Sequence, residues 1–190
     1  RSDLAWLTQS GWGEAIQAFV KNGGHVLGLC GGYQMLGRQV IDASGVEGPA
    51  GSTHGLDLLP VETELKAPKT TTLTDFQWGP HSGSGYEIHM GQTLLLGGQP
   101  LVHVTRRNGQ LCDAWDGCVA SGGKVIGSYI HGFFDMPAIT RAWLDHIGLQ
   151  KVNVSRLHGP AARDWAYDQL AQHARRHLDV DRILKFVSPS

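Results

Sequence analysis

The feature that most constrains this chain is the run Gly28-Leu29-Cys30-Gly31-Gly32-Tyr33-Gln34. It follows His25-Val26-Leu27, a short apolar run that reads as a buried strand, and precedes Met35-Leu36-Gly37-Arg38-Gln39-Val40-Ile41, which reads as a helix. A cysteine bracketed by glycines is thereby set on a strand-to-helix turn, the geometry of a nucleophile elbow. The turn reads as too tight for side chains at its neighbours, so Gly28, Gly31 and Gly32 keep the backbone close without a Cβ clash. The start of the following helix favours a thiolate over a thiol. The turn alone does not choose between a nucleophile and a small buried cysteine, the commoner use of that residue. A partner base further along the chain has to decide.

With 190 residues, 41% hydrophobic and 17% charged, the chain has enough apolar content for one domain with a sizeable core. A formal net charge of -1 supplies no long-range field for nucleic acid or an anionic membrane, so neither is expected as a partner. No run of about 18 apolar residues is present, so no membrane span is expected, and Arg1 opens no signal-peptide pattern. The three cysteines, Cys30, Cys112 and Cys118, are odd in number and form no CxxC pair. That argues against a disulfide framework or a zinc ribbon and fits a reducing cytoplasm.

The segment from Ser2 to Asn22 contains an amphipathic helix, with Ala15, Ile16, Phe19 and Val20 at helical spacing and Gly23-Gly24 at its end. The order helix, buried strand, elbow, helix indicates an α/β fold with a parallel sheet. The chain opens on a helix with no strand before it, which reads as a start inside a larger domain. From Gly45 to Gly123 the pattern turns to strands and turns. Strands are expected within 56–65, 70–73, 86–91 and 101–105, with a hairpin turn at Arg107-Asn108-Gly109-Gln110. Residues 76–85, with three glycines and a proline, read as a surface loop. Val125 to Ile130 is a further strand, and His131 stands at its carboxyl end. A helix starts near Met136-Pro137. Residues 150–190 form a helical extension, with Trp165, Ala166, Leu170, Ala174 and Leu178 on one face and a frayed end.

A Cys–His pair is the smallest set that makes a thiolate nucleophile at neutral pH, because the imidazole takes the thiol proton and later protonates the leaving group. Both Cys30 and His131 lie at carboxyl ends of strands, where ligands of open α/β sheets bind. The N–H of Gly31, just after the cysteine, is placed to bind an oxyanion. The pattern Gly28-x-Cys30-x-Gly32-x-Gln34, followed by His131 after a later strand, resembles the class I (triad-type) glutamine amidotransferases. Three motifs narrow the resemblance to the corrinoid-amidating branch of that family. They are Cys30 to Gly37, the run Gly85-Tyr86-Glu87-Ile88-His89-Met90-Gly91, and the run Tyr129-Ile130-His131-Gly132-Phe133-Phe134-Asp135. The resemblance covers about residues 3 to 147. It implies a flavodoxin-like three-layer sandwich with a mostly parallel central sheet and inserted β-hairpins. It also implies glutamine as substrate, attack by Cys30, and a substrate contact from Gln34.

Two departures stand out. Most members of the family carry a glutamate two residues after the histidine, where this chain has Phe133, which cannot orient an imidazole by a hydrogen bond. Glu87 and Asp135 are candidates for that task, and Glu87 equally for binding substrate or bracing the loop. The family's upstream Pro-Gly loop would precede Arg1, and so would an ATP-dependent synthetase domain. The resemblance assigns ATP and Mg²⁺ to that domain and no cofactor to this one. There the b, d, e and g carboxylates of adenosylcobyrinic a,c-diamide would be amidated. No metal is expected at His89, Glu87 and His131, since no short-spaced four-ligand set is present. Trp78 and Tyr86 line the site mouth or pack in the core, and Cys112 and Cys118 are packing residues. Another Cys–His amidohydrolase or peptidase of the same fold, or a non-catalytic scaffold, are the alternatives.

Overall fold

The structure is a computed structural model and describes residues 1–155 and 157–187. Two helices open the chain, α1 (Ser2–Gln9) and α2 (Trp12–Lys21), separated at Gly11, whose φ of 78° suits glycine. Val20 is buried and Ile16 packs against the core, but Ala15 and Phe19 of the expected apolar face are exposed. Strand β1 (Val26–Leu29) runs into the elbow, and α3 (Gly31–Leu36) is only six residues long. The helix expected over 35–41 does not form. The chain turns extended at Gly37, where a Cβ would lie 2.8 Å from the Val61 carbonyl, and Gln39–Asp42 becomes β2.

Strand β2 pairs antiparallel with β3 (Gly51–His54) and parallel with β4 (Val61–Trp78). Strands β4 and β5 (His81–Leu95) form a long hairpin that Gly79 and Pro80 close. The loop expected over 76–85 is therefore the far end of this hairpin. Its glycines serve close approach. A Cβ on Gly83 would lie 2.6 Å from the Phe76 ring, and one on Gly85 2.2 Å from the His131 carbonyl. The next hairpin, β6 (Val102–Arg107) and β7 (Gln110–Asp116), turns as expected at Asn108 and Gly109, both at positive φ.

After β7 the chain changes sheet. Strands β8 (Cys118–Ala120) and β9 (Val125–Ser128) join β1 in a three-stranded sheet ordered β1-β9-β8, with β1 and β9 parallel. One residue beyond β9 the chain changes sheet again, and β10 (Ile130–His131) pairs with β5 in a larger sheet ordered β10-β5-β4-β2-β3, with β6 and β7 attached to β4. The α/β class holds, but the balance of strand directions departs from a mostly parallel sheet. Among the described strands only β1 with β9 and β2 with β4 run parallel, and the long hairpins make the other ladders antiparallel.

Both changes of sheet happen at one place. Gly117 takes a φ of 79°, and a Cβ there would lie 2.3 Å from the Gly127 carbonyl. The neighbouring Asp116 is 8% exposed, and its carboxylate accepts the Ser128 hydroxyl (2.5 Å) and the Tyr129 N–H (3.1 Å). The Ser128 hydroxyl in turn accepts the Ile130 N–H at 3.0 Å. Side chains thus satisfy the two backbone donors that leave the ladder as β9 becomes β10, which lets the chain cross while buried.

All four residues of β9 are buried. Val125 packs with Leu4, Tyr33, Leu36 and Val61, whereas Ile126 packs on the other side with Phe76, Ile130, Phe133 and Ile139. Helix α4 (Pro137–His146) has Pro137 in its first turn and buries Ile139. Helices α5 (Gly159–His177) and α6 (Val180–Val187) follow, and the apolar face expected to pack, Trp165, Leu170 and Leu178, is exposed. Residues 188–190, read as the frayed end, lie outside the described residues.

The tightest of these approaches gives a prediction for the fold. A Cβ on Gly127 would lie 2.0 Å from the ring of Tyr33, which is itself 1% exposed and has nowhere to move. Gly127→Ala is expected to lower stability by about 1–3 kcal/mol or more, read as a lower denaturant midpoint at unchanged m-value. An unchanged midpoint contradicts this packing.

Candidate active site at the elbow cysteine

Cys30 has φ 52° and ψ -113°, a conformation strained for a side chain with a Cβ and the one a nucleophile elbow imposes. Its N–H donates to the Ser128 carbonyl at 2.8 Å, so the elbow leaves directly from the β1/β9 ladder. The expected role of Gly28 holds: a Cβ there would lie 2.6 Å from Leu36 and 2.7 Å from the Gly32 carbonyl group. Gly31 and Gly32 differ from the expectation, since a Cβ on either meets nothing within 4 Å. Gly31 borders open space beside the cysteine.

That space is a cavity of about 220 Å³ that Cys30, Gly31, Gln34, Lys69, Met90 and His89 help to line. The Cys30 thiol donates to the Ile88 carbonyl at 3.6 Å. Gln34 donates through Nε2 to the Tyr129 hydroxyl at 3.3 Å, which leaves its amide oxygen as an unused acceptor. Burial pushes the Cys30 thiol above its ordinary value, and the opposing Gly31 N–H and Lys69 charge do not overcome this. The thiolate expected from the helix start is therefore not the resting form. The Gly31 N–H at the helix start does not offset the loss of water.

His131 ends β10, opposite Tyr86 in the ladder, and the two rings stack with centroids 4.8 Å apart and planes 6° from parallel. Tyr86 and Ile88 are two apart on β5, so one strand carries both the carbonyl that holds Cys30 and the ring that holds His131. No hydrogen bond joins Cys30 to His131 among the described residues, and the Nε2 of His131 is buried without a partner. Neither proposed acid reaches the imidazole. Asp135 donates its N–H to the Gly132 carbonyl at 2.9 Å, closing the turn after His131. Phe133 is a core residue, 2% exposed and stacked on Phe76. Trp78 packs on Phe133 and Trp143, in the core as the commoner expectation had it.

Glu87 sits in a second cavity, of about 340 Å³, with His89, Tyr129, Arg107 and Asp116. Its carboxylate accepts the Thr74 hydroxyl (2.7 Å) and Arg107 Nε (3.1 Å) on one oxygen and faces His89 Nε2 (3.3 Å) with the other. The other ring nitrogen of His89 faces the Gly91 carbonyl at 2.7 Å. Both partners are acceptors, so both bonds form together only in the imidazolium. Burial of Glu87 acts to raise its pKa, but the hydrogen bonds from His89 and Thr74 and the Arg107 charge outweigh it and hold the group at about 2. Of the sequence-derived site residues, Cys30, Gly31 and Gln34 share one cavity, His131 stands outside its lining on β10 beside Tyr86, and Glu87 is braced in the second cavity. Asp116, Arg107 and Lys69 were not singled out from sequence, since a lone charged residue in a β-rich segment carries no local signal.

The structure thus sets an elbow cysteine, the N–H that follows it and a cavity on an α/β frame, with a histidine at the end of the neighbouring strand β10. Residues 1–139 match the family model of the CobB/CobQ-like glutamine amidotransferase domain, and the chain belongs to that family. It is 43% identical over 186 residues to the cobyric acid synthase of Chlorobaculum tepidum, covering 96% of this chain and 36% of the relative. It is 44% identical over 190 residues to that of Rhodobacter capsulatus (97% and 37%), and 41% identical over 201 residues to that of Syntrophobacter fumaroxidans (97% and 39%). The corrinoid-amidating branch expected from the three motifs is thus the one matched, and the chain spans little more than a third of the length of these curated relatives. No helix among the described residues is long and apolar enough to cross a membrane.

The buried Glu87 gives a prediction with a defined sign. Its folded pKa is depressed, so its stabilisation is present above the unfolded value and lost as pH falls from about 4.5 towards about 2. Glu87→Gln is expected to cost about 1.5–3 kcal/mol at neutral pH, with the gap to the parent narrowing over that window in denaturant titrations. A gap that does not change with pH contradicts the network.

Proposed function

We propose that this chain hydrolyses glutamine through Cys30 and His131 and supplies the ammonia for ATP-dependent amidation in a cobyric acid synthase. The observation that carries the reading is the positive-φ elbow at Cys30 opening on a cavity that Gly31 and Gln34 also line. Family membership and the printed names of the relatives support the assignment to corrinoid chemistry.

In this reading Cys30 Sγ attacks the side-chain amide carbon of glutamine. The C–S bond forms, and the oxyanion is held by the Gly31 N–H. The thiol proton passes through the buried Nε2 of His131 to the amide nitrogen, the C–N bond breaks, and ammonia leaves. Water then adds to the γ-glutamyl thioester, the C–S bond breaks, and glutamate and the thiol are restored. A resting thiol, raised by burial, makes this proton transfer necessary. Stacking on Tyr86 supplies an orientation for His131 where the usual glutamate is missing. Gln34, with its free amide oxygen, contacts the substrate. In the whole enzyme the ammonia would meet b, d, e and g carboxylates of adenosylcobyrinic a,c-diamide activated by ATP and Mg²⁺ outside this chain. The three free cysteines suit a cytoplasmic location.

Glutamate release from glutamine tests the reading. His131→Ala is expected to lose about 10²–10⁴-fold in kcat, Cys30→Ser to lose at least as much, and Gln34→Ala to raise KM by about tenfold. Hydrolysis that survives Cys30→Ser overturns it. Hydrolysis indifferent to Gln34→Ala would instead favour a general amidohydrolase.

A further inference from the structure

The charges around the Cys30 cavity are not all committed. Five charged or titratable side chains line it: Arg1, Asp3, Glu47, Lys69 and His89. Arg1 is tied down, donating to Thr53 Oγ1 at 2.9 Å and to the Pro49 carbonyl at 2.5 Å. His89 is held between Glu87 and Gly91. Asp3 accepts the Ser2 hydroxyl and stands in the first turn of α1. Lys69 and Glu47 are different. Both are exposed at the rim, and among the described residues neither side chain makes an ion pair or a hydrogen bond, with each other or with any neighbour.

The backbone presents both of them deliberately. Strand β4 leaves its ladder with β5 between Leu65 and Thr70, and the displaced residues bring Lys69 to the cavity opposite the unpaired Met90. Bulges of this kind re-aim side chains beside active sites. The turn carrying Glu47 is pinned from below. The buried Asp42 carboxylate accepts the Val46 N–H at 2.6 Å and the Glu47 N–H at 3.0 Å. A free cation and a free anion thus stand on two fixed pieces of backbone around one small cavity with the nucleophile in it. Both charges are also felt at the cysteine sulfur.

We propose that Lys69 binds the α-carboxylate and Glu47 the α-ammonium of a free amino acid whose side-chain amide reaches Cys30. The inference rests on the glutamine reading above and deepens it. The clamp selects a free zwitterionic amino acid over an amide within a peptide, which carries neither charge. It places no group at the reacting atoms, so Lys69 and Glu47 are specificity residues and their loss falls on KM.

The test uses the chain as it stands, with two competitors of glutamine hydrolysis. Glutaramate keeps the carboxylate and lacks the ammonium, and glutamine α-carboxamide keeps the ammonium and lacks the carboxylate. Lys69→Met is expected to raise KM for glutamine and Ki for glutaramate by about tenfold or more, with kcat within about twofold and Ki for the α-carboxamide unchanged. Lys69→Arg restores most of the loss. Glu47→Gln is expected to show the crossed pattern, weakening glutamine and the α-carboxamide and sparing glutaramate. An unchanged denaturant midpoint, with Cys30 still the residue that iodoacetamide alkylates, shows that each variant keeps its fold and its site. Unchanged KM in both variants, or equal losses for all three compounds, overturns the clamp while the glutamine reading stands. A parent protein that is alkylated at Cys30 but hydrolyses no glutamine overturns both.

Discussion

The structure turns on the buried carboxylate of Asp116. Two sheets meet at the point where β7 hands over to β8 and β9 hands over to β10, and a strand that changes sheets leaves backbone donors without ladder partners. Asp116 takes the Tyr129 N–H and, through the Ser128 hydroxyl, fixes the group that takes the Ile130 N–H. Burial raises the pKa of this carboxyl despite those bonds, with the charge of Glu87 adding to the effect. The consequence reaches the site. Cys30 hangs from the β1/β9 ladder, whereas His131 belongs to the β5/β10 ladder, and only two residues, Tyr129 and Ile130, separate Ser128 from His131 along the chain.

Around that crossing the packing relies on backbone close approach. Gly28, Gly85, Gly91 and Gly127 each sit where a Cβ would fall within 3 Å of a neighbour: Leu36 and Gly32, the His131 carbonyl and Ile130, Gln34 and Tyr129, and Tyr33 and Leu59 respectively. The polar groups divide into two sets. Glu87, Arg107, Thr74 and His89 satisfy one another and act as a brace. Cys30, Gln34 and the Nε2 of His131 retain unused hydrogen-bonding capacity, and it is on this set that the proposed chemistry rests.

Much of the local structure around the candidate site was legible in the sequence because it is written in local patterns. A cysteine between glycines after an apolar run, an Asn-Gly turn between strands, a histidine ending a strand, and Pro137 opening a helix each have a local physical cause. The failures have causes too. Gly83 and Gly85 read as turn residues because composition cannot separate a turn from a strand that another chain segment presses against. The stretch 35–41 read as a helix because its apolar spacing fits, but the chain turns extended at Gly37, the Arg38 N–H goes to the Val61 carbonyl and β4 offers β2 a ladder. The antiparallel bias follows from hairpins far longer than their alternating patterns suggested. Asp116 and Lys69 were silent because their roles come from a crossover and a bulge, neither of which has a sequence signature of its own.

In the proposed chemistry the strained elbow makes Cys30 a covalent nucleophile towards glutamine. Acid quenching during turnover, followed by intact mass and peptide mapping, captures that intermediate. One γ-glutamyl group is expected as a thioester on the peptide containing Cys30, removed by hydroxylamine and absent from Cys30→Ser. Steady glutamine hydrolysis with no such adduct, undiminished in Cys30→Ser, would contradict it.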